Sequence, residues 1–392
     1  MKNIFFIDRF PFNKEFFIRN EFEFLVEKGF NVRFLDLTRF LKRQEIESKL
    51  PPELEQYVVK FSSRKEFRDF IHHNLNGSVI ISRVPYITSS AWMYYIIFKS
   101  KMPYVIIEQI SFPSIYSTNK LKDLRHSYIK FFKKLNTKKI IGKPKEIYYF
   151  YASLFYLKSA QMIISSRIKG KSIFEKLIGK STSVKHALSP DYKVAMEVEN
   201  TVKIDEDYAV FIDQYFVHHP DFKTHRIVYN FTAEQYYTEI NQFLSDFKKR
   251  TGLKVIIASH PRRQDVHTED FKSEFDLYFN KTAELIQKSK VVLLHFSTAI
   301  NFAVIFKKPF LLLHSDLFNQ SNVSTGITMF STFFDKETIN MSNVDGELIS
   351  NQLNFVDEEK YNEFLEKFIK HPKANDETFR DQILYIYRTL GR

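Results

Sequence analysis

The 392-residue chain contains no cysteine. That removes disulfides, thiolate metal sites and a cysteine nucleophile together. Glycine is nearly as scarce: there are nine, nowhere spaced as G-x-G-x-x-G or G-x-x-x-x-G-K-[ST]. The glycine-rich fingerprints for dinucleotides and for ATP are therefore missing, and no G-x-S-x-G elbow points to a serine hydrolase. Long apolar runs are lacking too. The uncharged stretch 84–98 is 15 residues long and carries Thr88, Ser89 and Ser90, short of the roughly 18 apolar residues that a spanning helix needs. In the first dozen residues Asp8 and Arg9 interrupt the apolar run and no small-residue cleavage site follows, so no signal peptide is expected. A soluble, cytoplasmic protein is the expectation.

What is present is aromatic and basic. The chain has 42 Phe and 21 Tyr, and 58 Lys+Arg against 46 Asp+Glu give a formal net charge of +12. An apolar share of 44 % supplies enough material for two cores, and the length suggests two domains. Short apolar runs at 4–7, 32–35, 57–61, 78–81, 104–107 and 162–165 alternate with segments long enough for a helix. A second series follows at 208–212, 253–258, 291–294 and 310–313. Helices are expected at 14–28, 233–250, 281–289, 297–306 and 376–390. Such spacing predicts parallel βαβ units, hence an α/β fold of two parallel-sheet domains with helices. The expected boundaries are 1–190 and 205–375, with residues 376–392 a last helix that could cross back onto the first domain.

Charge is concentrated in one segment. Residues 120–158 hold 11 Lys+Arg against two acids, Asp123 and Glu146, with nine aromatic residues interleaved. An amphipathic surface on anionic lipid fits this pattern. A single-stranded nucleic-acid groove and an ordinary basic helix with its aromatics packed inward are the alternatives. No nucleic-acid partner is expected.

Two strand-end loops carry the polar chemistry. Strand 253–258 runs into Ser259-His260-Pro261-Arg262-Arg263. An imidazole beside two guanidinium groups can hydrogen-bond a phosphate, hold its charge and protonate a departing one. Strand 291–294 ends at His295, and Ser297-Thr298 open the next helix, where free N–H groups and the helix dipole favour an anion. At the carboxyl ends of parallel strands these loops fall where ligands bind. Three carboxylates stand at comparable ends as candidate bases: Glu108, Asp213 and Asp8, the last followed by Arg9. Glu108 is favoured narrowly over Asp213. Asp205-Glu206-Asp207 is a D-x-D that precedes a strand, so a solvated acidic turn is expected there. His218-His219-Pro220-Asp221 with His225 could bind a transition metal, but no H-E-x-x-H spacing supports it. No metal and no cofactor are expected.

The pairing of His260-Pro261 after one strand with Ser297-Thr298 after a later one resembles the HP and S-S/T motifs of bacterial GT-B sialyltransferases. The resemblance covers about the second half of the chain. It implies a GT-B architecture, two Rossmann-like domains with a cleft between them. It also implies that His260 contacts the donor phosphate and stabilises leaving CMP, that Pro261 lies by the cytosine, and that Ser297 and Thr298 hold the phosphate; Arg262 and His295, from the reading of the residues themselves, are further donor-binding candidates. The family's acidic D/E-D/E-G base motif is absent. The implied activity is an inverting, metal-independent transfer of a sialic-acid-like sugar (a nonulosonic acid or Kdo) from a CMP donor to a hydroxyl of a surface glycan or its lipid-linked precursor. Enzymes of similar architecture that use UDP- or GDP-sugars or transfer polyol phosphates are one alternative. A non-catalytic assembly protein at the membrane surface is another.

Overall fold

The computed structural model describes residues 2–42, 50–108, 148–149, 152, 158–165, 174–199, 201–218, 230–261, 263, 266–319, 322–375, 377 and 379–390. Almost all of the basic segment 120–158, together with Arg262, His219, Asp221 and His225, lies outside the described residues.

Two parallel sheets form. The first contains β1 (Lys2–Ile7), β2 (Phe30–Asp36), β3 (Val58–Lys60), β4 (Ser78–Ser82), β5 (Tyr104–Glu108), β6 (Met162–Ser165) and β7 (Ser183–His186), in the order β3-β2-β1-β4-β5-β6-β7. The second contains β8 (Tyr208–Ile212), β9 (Lys254–Ser259), β10 (Asp276–Phe279), β11 (Val291–Leu294), β12 (Phe310–His314) and β13 (Ile339–Asn340), in the order β10-β9-β8-β11-β12-β13. Every pairing among the described residues is parallel. Central strands such as β4, β5, β8 and β11 are buried along their whole length, as strands covered on both faces must be. In each sheet the strand order reverses once, between β1 and β4 and between β8 and β11. Ligands of doubly wound sheets bind at the carboxyl end of that switch point.

The chain divides into two compact units, with breaks between Leu188 and Ser189 and between Pro372 and Lys373. The stretch left between the two expected domains contains most of a helix of the second unit, Pro190–Met196, whose N-cap Ser189 accepts the Tyr192 N–H. Asp191 in its first turn accepts a hydrogen bond from the Asn301 side chain at 2.6 Å.

Local signals account for most helix ends. Thr232 and Gln235 form a capping box at the start of Ala233–Thr251, and Gly252 ends that helix in the left-handed conformation at φ 71°. The single helix expected over 14–28 is instead two, Lys14–Arg19 and Phe22–Glu27. Between them the wholly buried Asn20 bonds back to the Phe16 carbonyl and accepts from the Arg83 guanidinium at 2.8 Å, while Glu21 turns to φ 55°.

The final helix, Phe379–Leu390, belongs to the first unit. Ile383, Ile386 and Tyr387 join the core that contains Ile4, Phe6 and Val32, and the Tyr387 ring meets Phe30 at 4.8 Å. Ile386→Ala should therefore lower the stability of the first unit by about 2–4 kcal/mol, the range for emptying a wholly buried aliphatic site. Urea unfolding followed by circular dichroism measures it, and an effect below about 0.5 kcal/mol would mean the helix is not an integral part of that core.

Candidate functional site

Three turns follow the carboxyl ends of adjacent strands in the second unit: Asp213-Gln214 after β8, His260-Pro261 after β9, and His295 to Thr298 after β11. Because β9 and β11 flank β8, both phosphate-candidate turns emerge at one end of one sheet. The β8 turn fastens each of them. Asp213 accepts the His260 backbone N–H at 3.2 Å, and the Gln214 side-chain carbonyl accepts the Phe296 N–H at 2.8 Å.

Asp213 is fully buried and occupied. One of its oxygens takes the Tyr215 N–H at 2.8 Å; the other takes the His260 N–H and the Arg263 Nε at 2.8 Å. Asp213 thus has no exposed oxygen with which to take a proton from an acceptor, and the base role expected for it gives way to a positioning one. Arg263, read from the sequence as a phosphate ligand, faces inward as well. It has no solvent exposure and donates to Asp213, to Asp270 at 2.7 Å, to the Tyr237 hydroxyl at 2.8 Å and to the His267 carbonyl. Its guanidinium lies 4.8 Å from the Tyr215 ring centroid. Burial works against this cation, yet Asp213 and its other partners hold its pKa above the usual value.

His295 is also a framework residue. Its side chain is wholly buried, Nδ1 lies 2.8 Å from the Leu313 carbonyl and Nε2 lies 3.0 Å from the Tyr236 hydroxyl. With both nitrogens engaged and no exposed surface it cannot touch a donor. It supports the site by fixing the end of β11 between Phe211, Phe216 and Phe318.

The residues left facing outward are His260, half-buried with its ring parallel to Tyr215 at 6.1 Å, exposed Pro261, half-buried Ser297 and exposed Thr298. The helix expected from 297 begins later, at Ile300–Ile305, because Ser297 to Ala299 wind as a turn in which Ser297 Oγ accepts the Ala299 N–H at 3.2 Å. Phe296 seats this turn. A Cβ on Gly326 would fall 2.4 Å from the Phe296 ring, so the ring packs directly over a glycine backbone. Neither Gln214 nor Gly326 stands out in the sequence, since each acts on a partner far along the chain.

The turn after β8 is strained. Tyr215 and Val217 have φ of 53° and 70°, and His267 in the turn after β9 has 57°, a conformation that costs a β-branched residue most. His218 stacks on His267 at 4.1 Å, and its pKa is lowered mainly by burial, with Asp270 opposing.

In the first unit, the switch point carries Asp8 after β1 and Arg83 after β4. Asp8 is half-buried, accepts the Phe10 N–H at 3.1 Å, and has its pKa raised by burial against the pull of Arg83. Arg9 beside it is half-buried. Glu108 ends β5, is 7 % exposed and accepts from the Ser165 hydroxyl at 3.1 Å. Asp205, Glu206 and Asp207 are exposed, and Asp207 pairs with Lys290 at 3.3 Å, an acidic surface turn.

Two outcomes follow. Burial holds the His295 pKa down at about 4, so the unfolded chain binds the extra proton first as pH falls. Stability should decline between about pH 6.5 and 4, with about 3 kcal/mol of that decline due to this residue. In His295→Gln the slope over that window should flatten by that amount in pH-dependent urea titrations. Gly326→Ala should cost about 1–3 kcal/mol through overpacking against Phe296, measured the same way, whereas Gly→Ala in an unobstructed helix would stabilise.

No family model and no curated protein matches the chain. Solved structures do. The calicheamicin glycosyltransferase CalG4 aligns with a TM-score of 0.52 at 9 % identity over 93 % of this chain and 94 % of that one. The spinosyn forosaminyltransferase SpnP aligns at 0.49 and 11 % identity over the whole of both chains. UDP-GlcNAc 2-epimerase from Methanocaldococcus jannaschii aligns at 0.47 and 12 % identity over 99 % of this chain and all of that one. With two all-parallel Rossmann-like sheets and this likeness, the chain has the fold of the GT-B glycosyltransferases.

Proposed function

We propose that the protein is a nucleotide-sugar-dependent glycosyltransferase whose donor phosphate is held by the turns after β9 and β11. One observation carries the reading: the β8 turn fastens both, Asp213 through the His260 N–H and Gln214 through the Phe296 N–H. His260 is the group assigned to the leaving phosphate, as hydrogen-bond donor and as proton donor when charged. Pro261 is assigned to the base, and Ser297 and Thr298 to the phosphate oxygens. Fixed donors of this kind stabilise a developing negative charge in the transition state without reorganising. No metal is needed for that step where a cationic imidazole and hydroxyls supply the positive field.

For the base, the surroundings favour Asp8 over Glu108. Asp8 is the more exposed of the two and has a raised pKa, which improves a carboxylate as a proton acceptor near neutral pH. The acceptor is read as a glycan hydroxyl.

The His260-Pro261 and Ser297-Thr298 pair supports a CMP donor carrying a sialic-acid-like sugar. A UDP- or GDP-sugar donor is the second reading, favoured because the structural likeness is to an enzyme named as a calicheamicin glycosyltransferase and not as a sialyltransferase. Calorimetry with CMP and UDP separates them, since the first reading requires CMP to bind at least tenfold more tightly. With the preferred donor, His260→Ala should lose about 10²–10⁴ in kcat, the usual worth of a positioned acid or base, with an unchanged melting temperature. Asp8→Asn should remove the acidic limb of the pH–rate profile, which in the parent lies above the ordinary carboxylate range. Full activity in His260→Ala would sink the assignment.

A further inference from the structure

The sequence places His218 among His219, Asp221 and His225, a grouping with no recognisable metal spacing. The structure gives His218 different neighbours, from the turn after β9. Its ring lies parallel to that of His267, centroids 4.1 Å apart and planes within 8°. Its Nε2 lies 3.4 Å from Asp270 Oδ2. One ligand atom from each of His218, His267 and Asp270 falls within 4.8 Å of the other two.

Two further observations bear on what this cluster could hold. The His218 Nε2 is buried, and its acceptor is the Asp270 carboxylate at 3.4 Å, longer than a well-formed hydrogen bond and short of full satisfaction for a buried polar atom. The local charge is also unbalanced. Arg263 is the one guanidinium of the network, whereas Asp213 and Asp270 both contact it and Glu269 lies 3.7 Å from His267 Nδ1. Among the described residues, three carboxylates thus surround one guanidinium, with two imidazoles between them.

We propose that His218, His267 and Asp270 form a site for one divalent transition-metal ion of the zinc, cobalt or nickel type. Two imidazoles and a carboxylate are the ligands these ions prefer, whereas magnesium and calcium favour all-oxygen shells. An ion with bonds of about 2.0–2.2 Å needs ligand atoms about 3.3 Å apart; His218 Nε2 and Asp270 Oδ2 stand at 3.4 Å, and the three ligand atoms together lie within 4.8 Å. Rotation of the His267 side chain, 38 % exposed, can close that distance. The Glu269 carboxylate, 3.7 Å from His267 Nδ1, is placed to orient the ring as an outer-shell partner. The ion fastens the strained turn after β8 to the turn after β9, both of which adjoin His260. It takes no part in the transfer step, and the inference stands whether or not the protein is a glycosyltransferase.

The test uses the full chain, stripped of metal on a chelating resin and titrated with cobalt(II) chloride. Binding should give visible d–d absorption saturating at one equivalent, displaced by zinc chloride. His218→Ala and His267→Ala should each weaken cobalt binding at least tenfold, and zinc should raise the melting temperature of the parent but not of His267→Ala. His267 is surface-accessible, so circular dichroism should show that variant folded without metal. Absence of d–d absorption overturns the proposal, as does absorption of undiminished affinity in both variants, which would locate the ion elsewhere.

Discussion

The buried pair of Asp213 and Arg263 is the constraint on which the second unit's site depends. Taking both charges out of water costs several kcal/mol, and the pair is tolerable because nearly every donor and acceptor on it is used. Asp213 meets two backbone N–H groups and one guanidinium; Arg263 meets two carboxylates, a phenol and a carbonyl. Removing one partner would leave the other as an uncompensated charge, a change worth about 3–5 kcal/mol. The positive φ angles at Tyr215, Val217 and His267 cluster around this pair, so its bonds also hold the backbone in conformations the residues would not adopt alone.

This arrangement separates the groups that could meet a ligand from those that aim them. His260, Pro261, Ser297 and Thr298 reach the surface, while Asp213, Arg263 and His295 lie beneath with their polar atoms spoken for. The division follows from burial. A charged or polar side chain at the end of a central strand can either point along the strand toward solvent or fold down into the layer of helices, and only the neighbours decide which.

That is also why the sequence was legible in some places and not in others. Uninterrupted apolar runs such as 208–212 and 291–294 coincide with β8 and β11, and Met162–Ile164 make up all but the last residue of β6. Three strands went unseen: β7 with Lys185 and His186, β10 beginning at Asp276, and the two-residue β13. They lie at the sheet margins, where half the surface is wet and the apolar signal fades. The strand-end position of His260 and Ser297 could be read from local pattern. The inward turn of Arg263 could not, because its main partner lies 50 residues earlier, and neither could the contact of His218 with Asp270 across two loops.

The last helix has a consequence for how the chain is made. Its apolar face completes a core whose other members run from Ile4 to Ala187, so that core lacks Ile383, Ile386 and Tyr387 until the whole second unit has been added. The middle of the chain contains everything its own sheet requires and can fold as it emerges. Nothing in the second unit has to wait for the last helix, whereas the first unit's core is complete only when Ile383, Ile386 and Tyr387 have left the exit tunnel.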